Sequence, residues 1–381
     1  AGAGPVSRAL EAFGRWSLRP VSGAVVALAV LWGLYRFVGV FGARTLVDFL
    51  ELKVFGAWLN PRISALAALI PWKPVVDALV GPYGAITMAV TYAFALILPI
   101  VTTFFLAFSL LEDSGYLPRF SVVTDRVFRL MGLNGKAVLP MLLGLGCGTM
   151  AVVTTRILET RRERLLVSFL LALAVPCSAQ LGVVLGMAGG SAPAVLGVWL
   201  AVMTFTLLGV GWCASRVMPG AAAPFVMEIP PMRVPRPMNV LRKVGSRLKW
   251  YLREVVPLFV YATFLLFLLD RAGALAAAER ALAPLVQGLL GLPREATGAF
   301  LMGFFRRDYG AAGLFQLHRA GLLTAPQVAV SLVCITLFMP CFAQFLVTLR
   351  EQGWKATSVV AAFVFSYALG MAAFVHWAWP A

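Results

Sequence analysis

Three of the five cysteines in this chain stand where an apolar segment has to break. Cys147 lies in Gly144-Leu145-Gly146-Cys147-Gly148. Cys177 opens Pro176-Cys177-Ser178-Ala179-Gln180, and Cys341 opens Pro340-Cys341-Phe342-Ala343-Gln344, the same pattern 164 residues later. Proline removes a backbone donor, and in hydrocarbon the freed carbonyl needs another partner. Such breaks therefore belong inside a helix bundle or beside a polar cavity, and a pair of them in two halves of a chain points to a substrate site. A buried cysteine is ordinarily a small hydrophobe, but sulfur at both breaks could also ligate a metal ion. Gln180 and Gln344 follow their cysteines by one helical turn on a similar face. Each could offer a carbonyl oxygen to an ion or hydrogen-bond the broken backbone. Asp308, in Gly303 to Gly310, is an ionisable group in an apolar setting and so a functional candidate by default. An ion pair with Arg306 or Arg307 competes with that role. Glu112 and Asp113 end a helix, where the dipole disfavours anions. They either line an ion exit or pair with arginines of neighbouring loops. Cys213 and Cys334 read as packing residues, and His318 and His376 as two lone histidines that make no site.

The elements that must position these residues are membrane helices. Of 381 residues 61% are hydrophobic and only 13% charged, about half the globular share, and the mean hydropathy is +0.88. The apolar runs are many and far from the N-terminus, so a signal peptide does not explain them. The net charge of +16 does not indicate nucleic acid, because the basic residues cluster in short segments between apolar runs, as the positive-inside rule requires. The thiols do not read as a disulfide framework. Spans are expected near residues 21–41, 85–111, 165–187, 193–217, 255–269, 326–349 and 356–377. The segments 137–155 and 296–316 are expected as re-entrant hairpins, because the first is glycine-broken with basic residues at both ends. In that layout 21 of the 32 Lys and Arg residues face inward and 8 outward. The expected division is a cytoplasmic lead-in at 1–20, a first helix with outer amphipathic helices at 21–84, and a first gate repeat at 85–217. A cytoplasmic loop with an amphipathic helix at 218–253 and a second, oppositely oriented gate repeat at 254–381 complete it. An inverted repeat of this kind supports alternating access.

Residues 104–180 resemble the membrane region of the ferrous iron transport protein B (FeoB) family. The matching residues are Leu111-Glu112-Asp113-Ser114-Gly115-Tyr116, Gly132-Leu133-Asn134-Gly135-Lys136, Gly144 to Gly148, Thr155-Arg156 with Glu159 and Arg161 to Leu165, and Pro176-Cys177-Ser178-Ala179. Pro224 to Pro230, Gly303 to Gly313 and Pro340-Cys341 extend the resemblance over nearly the whole chain. Two positions depart from the family pattern. Many members read Gly-Cys-Asn-Val-Pro-Ala where this chain has Gly146 to Ala151, and the second gate often carries Lys-Glu where Arg307-Asp308 stand here.

The resemblance implies an all-α polytopic membrane protein with two broken-helix gates, similar in gate fold to concentrative nucleoside transporters. It implies Fe²⁺ uptake across a bacterial cytoplasmic membrane with the N-terminus inside, the ion being the transported substrate. Placed on both gates, Cys147, Cys177 and Cys341 become a metal path, with Gln180, Gln344 and Asp308 as further candidate ligands. Thiolates favour Fe²⁺ over Mg²⁺ and Ca²⁺, and a few soft ligands with water suit an ion that must also leave. The family's GTPase domain has no counterpart here. Gly132 to Ala137 lacks the spacing and the hydroxyl of a phosphate-binding loop, so no GTP site and no enzyme activity are expected in this chain. Expected partners are the bilayer, a GTPase domain or subunit, a small cytoplasmic accessory protein and a second copy of the chain. The competing readings are a nucleoside- or solute-type carrier with the same gate geometry, and a non-transporting membrane scaffold.

Overall fold

The computed structural model describes residues 5–67, 69, 71–72, 76, 79–80, 90–189, 193–218, 229–305, 307–338 and 341–379. Among them every regular element is helical. Five helices are long and apolar enough to cross a bilayer: Val21–Gly42, Ala93–Asp113, Pro193–Val217, Ala325–Gln352 and Trp354–Ala378. A pair bent by 109°, Ala274–Leu290 with Glu295–Phe304, adds a sixth if taken as one span. Against the seven expected spans, the described residues thus hold five or six such helices. The stretch expected as a span at 165–187 is two helices, Arg161–Leu173 and Ser178–Gly189. Each is about 20 Å long at 1.5 Å per residue, short of a hydrocarbon core about 30 Å thick. The stretch at 255–269 is helical within Val256–Arg271 but is not among the five; Arg253 and Glu254 precede it and Asp270 and Arg271 close it.

The chain divides into two units, residues 1–139 with 222–264 and residues 140–221 with 265–381. In the first unit the Leu98–Asp113 helix packs along the Pro237–Trp250 helix. Val240 and Val244 recur four residues apart, which puts them on one helix face, and both are buried. The basic residues of the same helix meet the acids that end its partner. Lys243 Nζ lies 3.0 Å from Glu112 Oε1, and Arg247 Nη2 lies 2.8 Å from Glu112 Oε2. Arg247 also donates to Ser109 Oγ at 2.9 Å and sits over the Phe108 ring. Asp113 is buried and accepts the Arg236 backbone N–H at 2.8 Å. Two anions at a helix C-terminus are unfavourable alone; here each has its cation or N–H. The loop at Gly132 to Lys136 is a capped turn. Gly132 takes a left-handed φ of 65°, Asp125 accepts from the Gly135 N–H at 2.9 Å, and Asn134 accepts from the Lys136 N–H at 3.0 Å.

The second unit is built on Ala325–Leu337, which packs against Trp354–Ala378 and Pro193–Phe205. Its buried residues include Trp199, Leu332, Val333, Ala368 and Ala372. Trp199 satisfies its indole N–H on Thr336 Oγ1 at 3.1 Å. Against this frame stand two helical hairpins. In one, Glu295–Phe305 and Arg307–Arg319 fold back on each other. A Cβ on Gly310 would stand 2.6 Å from Gly303 Cα and 2.7 Å from Ala299 O, and one on Gly313 would stand 3.0 Å from Ala299 Cβ. Stepping back along the first helix from Gly303 to Ala299 means stepping forward along the second, so the two run antiparallel. At 11 residues the first arm is about 16 Å long and cannot cross a bilayer alone. In the other hairpin, Val138–Gly146 and Gly148–Thr154 are parted at Cys147, whose backbone is extended at φ −150°, ψ 113°. A Cβ on Gly144 would come within 3.7 Å of Ala151 Cβ, whereas a straight helix holds residues seven apart at about 10 Å. Both hairpins therefore close on a pair of small residues seven positions apart.

Glycine at the tighter crossing is a steric requirement. Gly310→Ala is expected to destabilise the protein by about 1–3 kcal/mol, since a new methyl meets backbone rather than a mobile side chain. Gly298→Ala, whose Cβ would meet nothing within 4 Å, is expected to leave the thermal midpoint of the detergent-solubilised protein unchanged. Equal midpoints for both variants would show that the helices do not meet at Gly310.

Candidate functional site

The three gate cysteines lie in the second unit and share one structural position: each is the residue on which a short helix starts. The carbonyls of Cys147, Cys177 and Cys341 accept the first helical hydrogen bonds from Ala151, Leu181 and Phe345 at 3.1, 2.9 and 2.9 Å. All three are half-buried, and their neighbours meet: Ser178 Oγ donates to Gly146 O at 3.1 Å and the Gln344 amide lies against Gly148. By hydrogen-bond geometry neither Cys147 nor Cys341 uses its side chain to cap its own helix. Among the described residues no three His, Cys, Asp or Glu side chains are gathered closely enough to hold a metal ion. The thiols form a loose convergence rather than a closed cage.

The helices that end beside these cysteines leave carbonyls without helical donors. Pro176 has no N–H to offer the carbonyl of Ala172, four residues earlier. Arg307 Nη2, at the tip of the second hairpin, supplies it at 3.2 Å, and reaches the carbonyl of Phe338 at 3.0 Å. Phe338 caps the C-terminus of Ala325–Leu337, so one guanidinium serves the ends of two broken helices. Its Nη1 donates to Gln180 Oε1 at 3.3 Å. Gln180 is fully buried; it also accepts from the Cys177 N–H at 3.4 Å and donates through Nε2 to Ile335 O at 2.9 Å. Of the two roles open to Gln180, its side chain fills the one at the broken backbone. Ser178 does the same for the first hairpin, donating to Gly146 O at 3.1 Å.

Gln344 is placed differently. It is buried, its Nε2 has no hydrogen-bond partner among the described residues, and its amide occupies the place that a Cβ on Gly148 would take. The space left open by Gly148 is thus filled by an amide from the Phe342–Gln352 helix. Asp308 lies on the Arg307–Arg319 helix but outside the residues whose side chains are described. Glu112 and Asp113 belong to the first unit and are taken by Lys243, Arg247 and the Arg236 backbone. Cys334 is buried in the Ala325–Leu337 helix and Cys213 is exposed. Arg156 forks onto Glu351 with bonds of 2.7 and 2.6 Å, and hydrogen bonding to that carboxylate pushes the Arg156 guanidinium above its ordinary value. Arg307 is the residue that sequence reasoning missed, having been weighed only as a partner for Asp308. The signal was the proline four residues beyond Ala172, which announced a carbonyl in need of a donor without saying which side chain would come.

The family model described as "Gate: Nucleoside recognition" matches residues 94–191 and 252–355, more than half of the chain. The one described as "Ferrous iron transport protein B C terminus" matches residues 196–247 between them. The chain belongs to the ferrous iron transport protein B (FeoB) family. Among FeoB relatives, a Porphyromonas gingivalis protein named as an Fe(2+) transport protein A/Fe(2+) transporter FeoB fusion is 27% identical over 66% of this chain and 29% of its own length. Proteins named Fe(2+) transporter FeoB from Methanocaldococcus jannaschii and Staphylococcus aureus are each 25% identical, over 87% and 90% of this chain and 53% and 55% of their own lengths. The chain thus spans about half the length of these two FeoB relatives. No solved structure matches the chain. With these relatives and its apolar helices, the chain is a multi-pass membrane protein.

The role of Gln180 can be tested without any ion. Gln180→Leu, close in volume, leaves Ile335 O and the Cys177 N–H unpaired in the interior. Each such group costs about 1–3 kcal/mol, so the metal-free protein should melt earlier than wild type. An unchanged midpoint would return Gln180 to the list of ion ligands.

Proposed function

We propose that this chain is the permease part of a ferrous iron uptake system in a bacterial cytoplasmic membrane, passing Fe²⁺ inward along Cys147, Cys177 and Cys341. The observation that carries the reading is the convergence of these thiols, each at a helix start beside a break, within one unit. Sulfur favours Fe²⁺ over Mg²⁺ and Ca²⁺. A loose set of half-buried thiols, completed by water and by Gln344 or Asp308, lets the ion enter and leave. Ligation requires the thiolate, so ion entry releases protons. The names of the relatives support iron as the cargo. None of the relatives is named as a nucleoside carrier.

The two hairpins enter and leave the membrane on the same side in this reading, one from each face, as halves of an inverted repeat over residues 85–217 and 254–381. Both stretches matched by the Gate model contain one hairpin and one Pro-Cys sequence, which supports the repeat. Nucleotide hydrolysis belongs to a GTPase domain or subunit outside this sequence, acting with a small cytoplasmic accessory protein. The N-terminus is cytoplasmic and the working form is a homo-oligomer.

In vesicles loaded with an Fe²⁺-quenched dye and supplied with that GTPase, the single variants Cys147→Ser, Cys177→Ser and Cys341→Ser should each lower Fe²⁺ influx at least about tenfold, the loss of roughly 1.4 kcal/mol of ion stabilisation. Wild-type influx in all three would remove the thiol path.

A further inference from the structure

The carbonyls of Ala172 and Phe338 both accept from one guanidinium. Each belongs to the last turn or cap of a helix, where the backbone dipoles leave partial negative charge, and the next helix after each starts on a cysteine or just beyond one, at Cys177 and Cys341. The guanidinium is a cation already present in the protein. Arg307 is 5% exposed, donates to both carbonyls at 3.2 and 3.0 Å, and is steadied by Gln180 at 3.3 Å. It is carried near the tip of a hairpin whose other arm is only 11 residues long. Two cations at one pair of carbonyls repel strongly in a medium that screens them weakly.

We propose that Arg307 is a tethered cation plug: its guanidinium and the transported divalent ion compete for the helix-end carbonyls of Ala172 and Phe338. The ion enters only as the second hairpin withdraws Arg307, and the returning guanidinium expels it. Displacing the plug lowers apparent ion affinity by the fraction of time the site is free, which keeps the site from becoming a trap. The same guanidinium satisfies the carbonyls between transport events, so the gate closes without an ion. Arg307 on this view is a positioning residue that times binding and release.

The idea rests on the Fe²⁺-transport reading but is tested apart from it, with Co²⁺ as the binding probe. In detergent, Arg307→Gln should bind Co²⁺ roughly tenfold tighter than wild type, because the competitor is gone, while Fe²⁺ influx in vesicles falls because release is lost. A folded Arg307→Gln protein with wild-type or weaker Co²⁺ affinity overturns the plug. If that variant does not fold, the wild type decides the matter. Phenylglyoxal labelling of Arg307, mapped by peptide mass spectrometry, should be low without metal and rise at least about fivefold with saturating Co²⁺ as the guanidinium leaves its carbonyls. Labelling that Co²⁺ does not change overturns the proposal. Fe²⁺ influx by the wild type judges the transport reading separately: influx with unresponsive Arg307 removes the plug alone, and no influx removes transport.

Discussion

A helix that stops inside an apolar medium leaves carbonyls that water cannot reach, and every other feature of the second unit follows from how those carbonyls are met. Pro176 frees the carbonyl of Ala172, and the end of Ala325–Leu337 frees those of Ile335 and Phe338. The donors come from far along the chain: Arg307 is 135 residues from Ala172, and Gln180 is 155 residues from Ile335. A break in one gate is therefore stable only while the other gate is in place. Arg162 repeats the device at another helix end, donating to Ser215 O at 2.5 Å and Met218 O at 3.1 Å, and Gln327 does so on Gly291 O at 2.8 Å. The broken helices of this unit are thus stitched together by side-chain donors from distant segments.

The same constraint accounts for where the cysteines stand. A break supplies both an end, with surplus carbonyls, and a start, where a residue outside the helix is free of its ladder. Cys147, Cys177 and Cys341 occupy starts; Arg307 occupies ends. Sulfur and guanidinium are thus brought together by backbone geometry, and the polar centre of the unit is assembled from groups that the breaks made necessary.

Much of this could be read from residue types and spacing, and the limits are physical. The Pro-Cys and Gly-Cys-Gly breaks were visible because proline and clustered glycine act locally. The helical class was visible because composition sets it. The count of spans was not, since apolar length alone treats 165–187 as one segment while Pro176 cuts it into two short helices. Arg307 was hidden for a different reason: its partners at Ala172, Gln180 and Phe338 are backbone and amide groups scattered over 166 positions, and nothing in its own neighbourhood marks them. Glu112 and Asp113 were left between two roles because their partners also come from a distant segment, the Pro237–Trp250 helix.

That last pairing has a consequence for how the chain is made. Asp113 and Arg236 are 123 residues apart, and the whole of residues 140–221, belonging to the other unit, is translated between them. At about 5–20 residues per second the first unit waits roughly 6–25 s for the helix that neutralises its acids. The stretch in between waits in turn for the hairpin at 295–319. Neither unit can close in the order in which it is synthesised, so nascent copies must linger with bare carboxylates and open carbonyls at the membrane.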